Sequence, residues 1–239
     1  MQKIVITDNT YILDLDFSNE PMSFVIAKNI LSVTIVEKNP GTLIHLEIPD
    51  NCTVQYISNN SIQKNTIRNI TVGANAILEL HELNISSGNI LVTNILLAGA
   101  GAQANLYHGF IVQSQDTLDI AQHITHDAPN TISQIVSQGV VNNGAVLNYN
   151  PKVTVTLKGT TSQAKQIVHI LKTETSKVSV NTIPQLDITS DHVTCSHGAS
   201  VTPISHDVIH QLTSRGIDTI VAKQLIIKNH VYKYISKLL

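Results

Sequence analysis

A parallel β-helix followed by a pair of amphipathic helices is the fold this 239-residue sequence predicts. Three observations predict it. Short β-branched runs of period 2 recur through the chain as far as Thr194, separated by turns of small and polar residues. The turns resemble one another: Gly73-Ala-Asn-Ala-Ile-Leu78 returns as Gly101-Ala-Gln-Ala-Asn-Leu106, with shorter echoes at Gly144-Ala145 and Gly198-Ala199. After Pro203 the apolar period lengthens to that of a helix. Weak self-similarity at unequal spacing is the mark of a solenoid, whose corners need small residues where coils pack closely. A two-sheet sandwich is the competing arrangement of the same strands.

Taken in order, residues 1–38 hold runs at Ile4–Ile6, Tyr11–Leu15, Phe24–Ala27 and Leu31–Val36. From Thr42 the pattern is regular, with Leu43–Ile48, Val54–Ile57, Ile67–Val72, Ile77–Leu80, Ile90–Val92 and Leu106–Val112 bounded by Asn59-Asn60, Ser86-Ser87-Gly88 and Gly99. Asp119–His126 then leads into the turn Asp127-Ala-Pro-Asn130, followed by Thr131–Val136, Gly139–Tyr149 and Val153–Leu157. Gln163–Leu171 fits a strand or a short helix. Leu186–Ile188 and His192–Thr194 close the β body.

Ser205 is placed to cap a helix carrying Val208, Ile209 and Leu212, with Gly216 as its terminator. Asp218 caps a longer one whose apolar residues are Ile220, Val221, Leu225, Ile227, Val231, Tyr234, Ile235 and Leu238. Lys223, Lys228, Lys233 and Lys237 form its wet side, Lys237 near the negative end of the helix dipole. The chain therefore divides into a β-helix core, 1–203, and a C-terminal helical domain, 204–239. No Pro/Gly/Ser linker separates them, so the helices should dock directly.

Composition removes several functions. A net charge of −2 with 13% charged residues offers no basic footprint for nucleic acid or anionic lipid. Tryptophan is absent and aromatics are 4%, so stacking platforms for bases or sugars are scarce. The two cysteines, Cys52 and Cys195, are no disulfide framework and point to a reducing, cytoplasmic setting. The N-terminus alternates and carries Asp early, unlike a signal peptide, and the apolar stretch near Ile95–Ala102 is too short to span a bilayer. There is no G-x-x-x-x-G-K-[ST] loop, so the chain should bind no nucleotide, and no G-x-S-x-G or H-E-x-x-H motif. No tight carboxylate pair stands out for sugar hydrolysis.

The pointed chemistry is Cys195-Ser-His197. Two residues apart on a strand, thiol and imidazole leave the same face, and both are ligands for iron–sulfur chemistry. Two donors do not close a site, so further ones must come from elsewhere. The structural alternative is a buried small hydrophobe and a hydrogen-bonded corner. His192 falls on the opposite face of a continuous strand. His123 and His126 diverge on a strand, which leaves His126 a turn-stabilising role, and Cys52 reads as packing. His45, His81, His108 and His169 lie on separate runs and would form a metal site only by lining up across coils, as in a carbonic-anhydrase-like β-helix enzyme. That enzyme is the competing function.

The stretch Pro184-Gln-Leu-Asp-Ile188, Asp191-His-Val-Thr-Cys195-Ser-His-Gly-Ala-Ser200 and Ser214-Arg-Gly216 closely resembles the C-terminal signature of the SufB/SufD iron–sulfur assembly proteins. His126-Asp-Ala-Pro-Asn-Thr131, Ser133, Ser137-Gln-Gly139 and Ala164-Lys-Gln166 are similar to that family's core, so the likeness covers about residues 116–239. His197-Gly198-Ala199 looks like SufD, since SufB typically carries Glu after this histidine. The resemblance implies a right-handed parallel β-helix with a C-terminal helical domain, in a non-catalytic scaffold subunit. It implies a partner, SufB or a second copy of this chain, joined through the last strands near Leu186, Ile188 and Val193, and a SufC-type ATPase docked near Ser214, Arg215 and Gly216. It implies a transient iron–sulfur cluster at the shared interface, with His197 and Cys195 as candidate donors and Gly198 leaving room for the partner's ligand. Against the family pattern, the chain reads as short and without the N-terminal helical region. His210-Gln211 and Asn229-His230 replace an aromatic pair and a Gly-Phe.

Overall fold

Alternation sends successive side chains of a strand to opposite faces, so a run such as Leu43-Ile-His-Leu-Glu-Ile48 buries every second residue. The computed structural model describes residues 2–8, 10–13, 21–37, 43–60, 65–85, 90–113, 116–173 and 178–233. Its strands, in chain order, are β1 (Gln2–Ile6), β2 (Thr10–Leu13), β3 (Met22–Ile26), β4 (Ser32–Glu37), β5 (Leu43–Ile48), β6 (Thr53–Asn60), β7 (Thr66–Val72), β8 (Ile77–Ile85) and β9 (Ile90–Leu97). They continue as β10 (Gln103–Val112), β11 (Thr117–His126), β12 (Ile132–Val141), β13 (Val146–Val155), β14 (Gln163–Lys172), β15 (Ser179–Thr182), β16 (Gln185–Ile188) and β17 (Thr194–Pro203). Odd-numbered strands stack in one parallel sheet in the order β1-β3-β5-β7-β9-β11-β13-β15, with β16 also on β13. The even-numbered strands up to β14 form a second sheet with β17 as its last strand: β17-β14-β12-β10-β8-β6-β4-β2. The expected parallel β-solenoid is the observed fold, and Gln163–Lys172 is a strand. Asp14, Leu15 and Ser86-Ser87-Gly88 lie outside the described residues.

Between the sheets lies an apolar interior containing Phe24, Ile35, Leu46, Tyr56, Leu78, Leu106, Ile124, Val153 and the thiol residue Cys52. One corner repeats in the left-handed backbone region at Asn51, Asn75, Gly101, Asn130, Thr161 and His192. Asparagine and glycine tolerate that conformation, which is why they punctuate the turns. The sequence repeat is thereby corrected by two residues. Gln103 pairs with Ile77, so Gly101 stacks over Asn75 rather than over Gly73. Gly99 takes the place above Gly73, where an added Cβ would come within 2.0 Å of the Ala74 nitrogen. His192 and Val193 are likewise a turn and not a strand, because β17 begins only at Thr194.

After Pro203, α1 (His206–Thr213) and α2 (Thr219–Tyr232) follow. Ser205 holds the cap position of α1 without a side-chain hydrogen bond, whereas Asp218 Oδ1 accepts from the Ile220 and Val221 amides. Gly216 turns the chain between them at φ 84°. Helix α2 lies on the outer face of the even-numbered sheet, where Ile227, Val231 and Tyr232 pack with Leu83, Ile85, Ile111, Val140 and Leu171. His230 Nε2 donates to the His169 carbonyl at 3.1 Å. The single apolar face expected for α2 is in fact split: Ala222 and Val231 are buried, while Ile220, Val221 and Leu225 remain exposed. Tyr234, Ile235, Lys237 and Leu238 lie outside the described residues.

Candidate functional site on the last coil

Along β14 the inward residues are Ala164, Gln166, Val168 and Ile170, all buried. Register places Cys195 over Ala164, His197 over Gln166 and Ala199 over Val168, so Cys195 and His197 share the inward face, as their spacing predicts. Among the described strands β17 pairs with β14 alone, so no described strand stacks on the far side of these side chains. Inward residues that would be sealed in any earlier coil are therefore open here. His197 is exposed, while Cys195 is half-buried and packs against the interior. Burial pushes the Cys195 thiol up, a backbone hydrogen bond with Ala164 pulling the other way. The thiol is thus the more reluctant donor until a metal displaces its proton.

The same coil carries β16, with Leu186 over Val153 and Ile188 over Val155. Leu186 and Val193 are half-buried against the interior and Ile188 is 40% exposed. The structure thus brings Leu186, Ile188, Val193, Cys195 and His197 together on one open end. Ser214, Arg215 and Gly216 do not join them: they form the exposed turn between α1 and α2. Gly198 is the small, exposed residue next to His197. It faces outward, opposite to Cys195 and His197, and an added Cβ there would meet nothing within 4 Å.

Four other histidines are engaged elsewhere. His126 holds the Asp127–Thr131 turn through Nδ1 to Thr131 Oγ1 at 2.7 Å and Nε2 to Ser133 Oγ at 2.8 Å. His123 pairs with Thr154 on the outer face, at 2.9 Å. His108 faces inward over Glu82, and His81 stacks on Tyr107 at 4.9 Å between ring centroids. His45, His81, His108 and His169 do not align across coils: their register partners are Asn69, Tyr107, Glu82 and Ser200 in turn. Among the described residues no group of three or more His, Cys, Asp or Glu side chains is placed to hold a metal ion, and the enzyme reading gains no support.

Sequence reading missed the polar interior. Arg68 is fully buried and donates to Glu37 at 2.9 Å, Glu82 at 2.7 Å and Ser58 at 2.8 Å. Beyond Glu82 come His108, Gln122 (2.9 Å to His108), Tyr149 (2.5 Å to Gln122) and Ser137 (2.6 Å to Tyr149). Glu37 and Glu82 are thus a convergent carboxylate pair, closed around a guanidinium rather than open to a substrate. The available signal was parity: Arg68 has the same strand phase as Ile70 and Val72. Gln166, named above only as part of a family motif, is likewise an inward, buried polar residue whose strand phase was the signal.

A parallel β-solenoid bearing a thiol and an imidazole on its open last coil is the class that fold and site define. The family model described as SUF system FeS cluster assembly, SufBD core domain, matches residues 23–230, and the chain belongs to that family. An "Iron-sulfur cluster assembly SufBD family protein" of Staphylococcus epidermidis is 28% identical over 189 residues, 78% of this chain. Proteins of the same description from Staphylococcus haemolyticus and Staphylococcus aureus match equally, at 28% over 189 residues. The chain spans 40% of the length of each of these curated relatives.

Proposed function

We propose that this chain is a SufD-like, non-catalytic scaffold subunit of iron–sulfur cluster assembly. Its last coil joins a SufB-like subunit or a second copy of the chain, and a nascent cluster is held transiently across that join as cargo. His197 is the first donor this chain offers and Cys195 the second. The observation that carries the reading is the open end itself: among the described residues, an unpaired strand edge beside inward-facing donors with no further donors placed to close a site. A parallel strand edge is a template for another strand, and a two-donor half-site is completed by a partner's donors. Gly198 after His197 supports the SufD-like side of the family.

In the same reading the helical pair receives a SufC-type ATPase, since this chain has no nucleotide-binding loop. Exposed Ser214, Arg215, Gly216, Ile220, Val221 and Leu225 offer it a surface. Free Cys52 and Cys195 fit a cytoplasmic setting. No helix of the described residues is long and apolar enough to cross a membrane. The test is capture of the tagged chain from its native host. SufB-like and SufC-type proteins are expected to co-purify; recovery of a strictly monomeric chain carrying stoichiometric zinc would overturn the proposal.

A further inference from the structure

We infer that Gln166 is a positioning residue for His197: its amide oxygen accepts a ring N–H of His197, holding the imidazole in one tautomer with the other nitrogen free for a ligand. Gln166 is completely buried, an unusual place for an amide in a strand whose inward neighbours are Ala164, Val168 and Ile170. Its orientation is set, because Nε2 donates to the Gln185 carbonyl at 3.3 Å. That leaves Oε1, a buried acceptor with no hydrogen-bond partner. Buried amide oxygens are nearly always satisfied, so a donor belongs there.

Register names the donor. Parallel neighbours of the same phase lie about 4.8 Å apart, and on β14 they flank Gln166 on two sides. On β12 the neighbour is Ile135, which has nothing to donate; on β17 it is His197. The His197 ring is exposed, so it can turn onto Gln166 without displacing core atoms. A ligating imidazole commonly gives its other N–H to a carbonyl-type acceptor, which fixes the tautomer and raises the basicity of the ligating nitrogen. Gln166 supplies that acceptor from beneath, while the opposite side of the ring faces the open end. The purpose of the arrangement rests on His197 being a cluster donor; the hydrogen bond itself does not.

The experiment reads tautomers directly, by 15N NMR of the ring nitrogens in the full metal-free chain, in alkaline buffer where a free imidazole is neutral. Wild type is expected to show His197 with one protonated and one bare nitrogen. Gln166→Met and Gln166→Leu should give the averaged signals of two exchanging tautomers, and Gln166→Glu, which keeps an acceptor, should restore one. Cobalt(II) affinity at His197 should fall about tenfold or more in Gln166→Met. Averaged tautomers in wild type, a result that needs no variant to fold, would overturn the inference, as would a single tautomer surviving Gln166→Met. If Gln166 fixes the tautomer yet His197→Ala leaves cluster loading intact, the positioning stands and the proposed function falls.

Discussion

At the residue scale, the interior is polar where an apolar one would be simpler. Arg68 faces two carboxylates in full burial. Burial raises the pKa of Glu82, and Arg68, then His108, more than reverse this, leaving it below the usual carboxylate value. Removing the guanidinium would strand two buried negative charges. Arg68→Met is expected to cost about 3–5 kcal/mol in urea denaturation, whereas replacing the whole ionic group by apolar residues should cost far less. His126 gives the chain an acid limit. Burial lowers its imidazole from 6.5 to about 4. Between those values the unfolded chain binds a proton that the folded chain refuses, so stability falls as pH drops through that window. The shift corresponds to about 3 kcal/mol, complete above the upper value and gone below the lower. His126→Asn should flatten the pH dependence of the thermal midpoint over the same range.

Strands and helices were legible to different depths. Runs such as Val153–Val155 show alternation strong enough to fix both strand and buried face. The repeat was visible but slipped by two residues, because Asn75 and Gly101 fill the same left-handed corner and only backbone pairing shows they correspond. Helix α2 was legible in place and cap but not in orientation. Its apolar residues serve two surfaces, and a list of positions cannot divide them: Val231 belongs to the sheet, while Leu225 is 48% exposed. That division yields a clean test of partner docking. Leu225→Glu together with Val221→Glu alters only the outward stripe and should leave the thermal midpoint within a degree or two. It should weaken capture of a SufC-type ATPase about tenfold or more, read by biolayer interferometry. Undiminished capture would place the ATPase elsewhere.

For the whole molecule, function depends on where the solenoid stops. Every coil but the last covers the one before it, so an inward-facing residue is interior by default; Ala164 and Cys195 have the same phase and differ only in having a coil above. The motif Cys195-Ser-His197 was legible from spacing, as was its shared face. That this face is inward and that Gln166 lies beneath His197 were not, because both depend on the register between β14 and β17, whereas alternation alone turns Gly198 the other way. The account therefore stands or falls on one residue at one open end. The direct measurement is iron and acid-labile sulfide per complex, reconstituted with a SufB-like partner and a SufC-type ATPase, for wild type and His197→Ala. The account predicts an intact complex with cluster content reduced severalfold or more. Full cluster loading with His197→Ala would contradict it and leave the last coil a purely structural surface.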